Sequence, residues 1–151
     1  MKDYGLSRPP SSPYQCFMGR WEGLCKNFTP EGEFLESGAV HMDVYWTADN
    51  VWHLHEDFVS FYPLGKAVTF HSDITVRGKV CSGENELVKL EGAELTPYNY
   101  VFTIWSGVSQ TTVYNNHYFL DPNTRRIITH KVRDGRTNIF QIQDFVRIQQ
   151  P

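Results

Sequence analysis

The chain has 151 residues, a length that suits one domain with a core large enough to fold without disulfide or metal staples. Its 14 Lys and Arg against 17 Asp and Glu leave a net charge of −3 with no basic stripe, which excludes an electrostatic footprint for nucleic acid or an anionic membrane. No apolar run approaches the ~20 residues of a membrane helix, whereas aromatic residues make up 15% of the chain, an excess that suits strands and a ring-lined pocket.

The first ten residues, Met1 to Pro10, lack the apolar segment of a secretory signal, so the expected location is cytoplasmic. Residues 1 to 13 carry Pro9, Pro10 and Pro13 with three serines and little to bury, and are expected to form a flexible arm. The domain proper runs from 14 to 151. Cys16, Cys25 and Cys81 make neither a CxxC pair nor an even disulfide set and read as small buried hydrophobes in a reducing compartment. Asn27-Phe28-Thr29 matches a glycosylation acceptor but, without a secretory route, reads as coincidence.

From Tyr14 onward, β-branched and aromatic segments are cut at short intervals by turn chemistry. The pattern predicts strands over 20–28, 33–47, 51–61, 66–80, 86–94, 98–106, 110–120, 125–133 and 137–149, the fourth open to a break near Arg77-Gly78, with a single helical turn at Tyr14 to Met18. The connections are Pro30-Glu31-Gly32, Ala48-Asp49-Asn50, Pro63-Leu64-Gly65, Ser82-Gly83-Glu84-Asn85, Asp121-Pro122-Asn123 and Asp134-Gly135. Turns this short pair neighbours up and down, and sheet edges are best removed by closure. The expected fold is all-β: one antiparallel barrel of eight to ten strands with little helix.

Alternation assigns faces. Val40, Met42, Val44 and Trp46 share one, as do Val68, Phe70, Ile74 and Val76 opposite His71, Asp73, Thr75 and Arg77. Tyr98, Tyr100, Phe102 and Ile104 fall together, and on the last strand Phe140, Ile142, Val146 and Ile148 fall together with Asp144. A barrel of this size holds one small ligand, whereas a sandwich of the same strands fills itself.

Phe17-Met18-Gly19-Arg20-Trp21 at the start of the first strand, with Arg147 on the last, resembles the lipocalin, or more broadly calycin, way of closing a barrel. The resemblance implies that Trp21 lies across the closed end with Arg147 over its face, a cation–π contact of about 0.5 to 2 kcal/mol, and that both residues are structural. With Glu22-Gly23 and Phe28-Thr29-Pro30-Glu31-Gly32, the chain is similar to uncharacterised lipocalin-like proteins of cyanobacteria and other bacteria. Relatives of that type include bilin-handling barrels and barrel-shaped cyclases or isomerases. The chain departs from typical lipocalins in lacking a helix between its last two strands, and from fatty-acid-binding proteins in lacking a helical lid.

The densest chemical cluster is Trp52-His53-Leu54-His55-Glu56-Asp57. On a strand His53, His55 and Asp57 take one face; two histidines so spaced can chelate a metal, with His71 or His41 as a third ligand, or can lie on a hydrated outer face. In the second case Glu56 points inward with Trp52, Leu54 and Phe58, and a carboxyl among rings has its pKa raised, the setting of a general acid or base. Asp144 and His130 are expected in the same lumen, as catalytic partners or as a plain ion pair. The expected ligand-lining set is Trp46, Trp52, Phe58, Phe70, Tyr98, Tyr100, Phe102, Tyr114, Asn116, Tyr118 and Phe140, the phenols and amide offering hydrogen bonds and the rings apolar contact. Ser-His-Asp and Cys-His arrangements, phosphate loops and the dinucleotide fingerprint are absent.

Three functions follow. The first is binding of a small, largely apolar, ring-containing or polyene ligand in the lumen. The second is a cofactor-independent isomerase or cyclase using Glu56 or Asp144 for proton transfer. The third is haem or metal binding through barrel histidines. Fold alone does not choose among them; no cofactor, nucleic acid or membrane partner is expected.

Overall fold

The computed structural model describes residues 1–62 and 64–149. A 3-10 turn, Gln15–Phe17, precedes ten strands: β1 (Gly19–Phe28), β2 (Phe34–Ala48), β3 (Val51–Tyr62), β4 (Leu64–Arg77), β5 (Val80–Glu84), β6 (Val88–Thr96), β7 (Asn99–Ser106), β8 (Thr111–Asp121), β9 (Thr124–Arg133) and β10 (Arg136–Gln149). All neighbours pair antiparallel, and β10 returns to β1 to close the barrel. The all-β, up-and-down reading is correct. No described helix is long and apolar enough to cross a membrane.

The predicted fourth strand is two. It breaks after Arg77, where Gly78 takes φ 65°, a backbone region open to glycine without steric cost. Ser82-Gly83-Glu84, expected in a turn, therefore belongs to β5, and the turn comes next, where Asn85 Oδ1 accepts from the backbone N–H groups of Leu87 at 2.8 Å and Val88 at 2.9 Å. Of the expected Pro63-Leu64-Gly65 turn, Pro63 lies outside the described residues.

Because β5 is short, only Ile74–Arg77 of β4 find partners on it. The preceding stretch of β4 is paired along β3 and, on its other side, receives the Asn85 side-chain amide at the His71 carbonyl, 2.7 Å away. The barrel wall is thus notched beside residues 66–73 of β4.

The closed end carries the core. Tyr14, held at φ 67°, and Phe17 enter it from the 3-10 turn, and rings from β1, β3, β7 and β8 gather around them. Phe17 lies 4.8 Å from Tyr100, 5.1 Å from Phe119 and 5.6 Å from Trp52, ring centre to ring centre. Trp21 is fully buried and donates to the Phe17 carbonyl at 3.0 Å. Arg147 reaches over it with its guanidinium 4.3 Å from the ring and also donates to the carbonyls of Cys16 and Met18, tying β10 to the turn before β1. The closure implied by Gly19-Arg20-Trp21 is present.

Residues 1–13, expected as a flexible arm, run along this end. The Asp3 carbonyl accepts from the Trp46 backbone N–H at 2.7 Å, Lys2 and Tyr4 both donate to the buried Asp43 carboxylate, and the Arg8 guanidinium stacks 3.8 Å from the Trp46 ring.

Candidate ligand cavity

Above the aromatic floor the lumen encloses a cavity of about 380 Å³, within the range of small-molecule sites. Strand alternation makes it two-faced. β3, β4, β6 and β7 contribute mainly Leu54, Phe58, Val68, Phe70, Ile74, Leu90, Phe102 and Ile104, with Glu56 and Lys66 among them, while the wall from β8 through β10 to β1 and β2 sets Asn115, His117, Arg125, Lys131, Gln141, Gln143, Asn27 and Glu36 among Val40, Met42, Val44, Val113, Ile127 and Ile139. Gly38 makes room for one of these rings: a Cβ there would sit 2.4 Å from Phe58.

The polar wall is wired. Gln143 donates to Gln141, Gln141 to Asn27 and Asn27 to Glu36, at 2.8, 2.8 and 2.9 Å, and Lys66 completes the run 3.1 Å from the other Glu36 oxygen. Although partial burial opposes it, the Asn27 and Lys66 contacts hold the Glu36 carboxyl below its ordinary range.

Trp52, Phe58, Phe70, Phe102 and Glu56 all line the cavity. Burial raises the Glu56 pKa, with Arg125 and Lys131 acting in opposition. His53 and His55 face outward, 2.8 Å from Asp73 and 3.1 Å from Asp57 respectively, and among the described residues no three metal-ligating side chains converge.

The other half of the barrel corrects the sequence reading. On β8 the inward residues are Val113, Asn115, His117 and Phe119, so Tyr114, Asn116 and Tyr118 turn away from the lumen. On β9 the inward series is Arg125, Ile127, Thr129 and Lys131; His130 is outside, stacked 4.9 Å from Tyr114. On β10 Ile139, Gln141 and Gln143 face in, leaving Phe140 and Asp144 outside, where Asp144 accepts from Arg126 Nε at 2.7 Å. Each is a one-residue inversion, which moves every side chain of a strand to the other face. Tyr98 precedes β7 and is 70% exposed; Tyr100 and Trp46 are buried in the closed end below the cavity, Trp46 donating to Gln15 at 2.8 Å.

The residues gained by this inversion include two cations, Arg125 and Lys131. Arg125 is 1% exposed and packed among the rings of Trp21, Phe17, Phe119 and Phe145 at 4.6 to 5.5 Å. Burial pushes its pKa down to about 9, so it stays charged at neutral pH. Burial also lowers Lys131, and Lys131 has no hydrogen bond or ion pair among the described residues. His117 is held well below its ordinary value, first by burial and then by Arg125, and is neutral at pH 7. Burial drives the Cys25 thiol up to about 12, an inert side chain in the wall.

No protein-family model matches the sequence, and no curated protein matches it. Solved structures do. The S-type phycobiliprotein lyase CPES from Guillardia theta matches 91% of this chain and 92% of its own, with TM-score 0.73 at 9% identity. A DUF3598-family protein of unknown function from Nostoc punctiforme PCC 73102 matches 95% of this chain with TM-score 0.72 at 11% identity, and this chain spans about half of it, 53%. The barrel EF1p2_mFAP2b, solved bound to DFHBI, matches 93% of this chain with TM-score 0.54 at 10% identity. At such identities the likeness is architectural: the chain has the lipocalin-like barrel fold.

Proposed function

We propose that the protein binds a small, largely apolar, ring-containing or polyene ligand in the barrel lumen. The observation that carries this reading is the cavity itself, about 380 Å³, with apolar side chains from β3, β4, β6 and β7 along one wall that only Glu56 and Lys66 interrupt. Packed interiors rarely keep such space without an occupant. The bound DFHBI of one structural neighbour and the bilin-related name of another support the same class of ligand. Three free thiols support a reducing compartment, and with it the cytoplasm.

The test is native mass spectrometry with an absorption spectrum on protein purified without denaturation, beside Leu54→Trp, which fills the lumen. A small-molecule adduct present in the parent and lost from Leu54→Trp supports the reading. An adduct that survives the filled lumen, or failure of every compound in an aromatic and polyene panel to bind, overturns it.

A second reading rests on Glu56. A cavity-lining carboxyl with a raised pKa is suited to proton transfer, as an isomerase or cyclase requires. Glu56→Gln should then spare ligand binding and abolish turnover, while Asp144→Ala, outside the lumen, should change neither.

A further inference from the structure

Among the described residues, three buried side-chain polar atoms have no hydrogen-bond partner: Trp52 Nε1, His117 Nδ1 and Arg125 Nε. All three residues line the same cavity. They also share a neighbour. The Trp52 ring lies 5.6 Å, the His117 ring 5.4 Å and the Arg125 guanidinium carbon 5.0 Å from the centre of the Phe17 ring, so the three side chains gather around one ring at the cavity floor.

Their chemistry agrees. Indole and guanidinium nitrogens only donate, and an imidazole nitrogen donates in the appropriate tautomer. A buried donor without an acceptor costs roughly 1 to 3 kcal/mol, more when charged, so three at one spot ask for acceptor oxygens from outside the chain. The one described hydrogen bond of the Arg125 side chain is the soft contact of Nη2 with Met42 Sδ at 3.7 Å, and its Nε has no partner. Charge agrees too. Lys66 is matched by Glu36, and Arg125 and Lys131 then face Glu56 alone, so the lumen holds an excess of positive charge.

We propose that the ligand carries a carboxylate and sits head-down, with the carboxylate on Arg125, Trp52 Nε1 and His117 at the floor and its apolar body along the β3–β7 wall. This specifies the occupant and orientation of the lumen site above and rests on that reading. The polar wall, with its amides already bonded to one another, faces the rest of the ligand.

Retinoic acid and retinol share a polyene body and differ at the head, and both quench tryptophan fluorescence, so titrating each into the full chain reads the head-group preference directly. The acid should bind at least ~10-fold more tightly than the alcohol. Arg125→Met should reduce the acid to the level of the alcohol, whereas Lys131→Met should preserve the preference. Because Arg125 also packs on Trp21, His117→Phe and Trp52→Phe provide independent variants, each expected to narrow the gap by several-fold. Equal binding of acid and alcohol to the parent protein overturns the carboxylate assignment, gives the floor donors to water and leaves lumen binding intact. A preference abolished by Lys131→Met and kept in Arg125→Met overturns the head-down orientation. Failure of both compounds to bind counts against the lumen reading itself, and the carboxylate falls with it.

Discussion

Arg147 holds Trp21 and the chain that leads into it at the same time: its guanidinium lies 4.3 Å from the indole while Nη2 donates to the Cys16 carbonyl at 3.0 Å. The contact therefore fastens the last strand to the start of the first through both a ring and a backbone, at the seam where the barrel shuts.

Trp21→Ala should cost roughly 3 to 5 kcal/mol, the range for truncating a large buried aromatic. Arg147→Ala should be destabilising as well, and the double variant should lose less than the two single losses combined, because each side chain works through the other. Denaturant unfolding of the four proteins measures this; strict additivity would separate Arg147 from the ring.

Glu56 gives stability a defined pH dependence. Its carboxyl pKa in the fold lies above the ordinary 4.5, so the folded state holds the proton more firmly than the unfolded chain, and stability falls as pH rises from that value through the raised one. Glu56→Gln removes the penalty. The variant should melt above the parent at about pH 8, and the difference should shrink as the pH approaches about 4.

His117 acts with the opposite sense. Its pKa is depressed well below 6.5, so the unfolded chain takes up a proton that the folded one refuses, and stability is lost as pH falls from about 6.5 toward the depressed value. His117→Gln should flatten that part of the melting profile. If the parent and variant lose stability in parallel through this window, His117 is not the group responsible.

Removal of residues 1–13 should leave the barrel closed, with an unchanged far-ultraviolet β spectrum and a loss of about 1 to 2 kcal/mol from the Arg8 stacking and the Lys2 and Tyr4 contacts to the buried Asp43 carboxylate, which keeps Arg20 3.7 Å away. Loss of folding on deletion would make the segment an integral part of the closed end.

The apolar strands were readable because their inner and outer faces differ in chemistry: Trp52, Leu54 and Phe58 alternate with His53, His55 and Asp57, and the structure keeps that phase. β8 and β10 misled because the rule is reversed there. Tyr114, Tyr118, Phe140 and Ile142 lie outside while Asn115, His117, Gln141 and Gln143 lie inside, since this wall of the cavity is polar. One signal in the sequence did carry the right phase. If Arg147 is to cover Trp21 from inside, then Phe145, Gln143 and Gln141 share its face on an unbroken strand and Asp144 and Phe140 do not. The same parity finds Lys131 from Arg125, but nothing local marks Arg125 itself as buried, because its four-ring cage is assembled from residues far apart in the chain.

The notch beside β4 makes one stretch of wall easier to part than the rest. Residues 66–73 lean on β3 along one edge and, across the other, on the Asn85 amide at the His71 carbonyl and a long contact of the His71 ring with Glu86. Backbone amides there should exchange with deuterium sooner than those of β1 or β10, which are paired on both sides. Val68 and Phe70, which line the cavity, belong to this stretch, so the same opening that admits solvent to the backbone also uncovers the lumen from the side. Occupancy of the lumen should therefore be visible first as slowed exchange in β4.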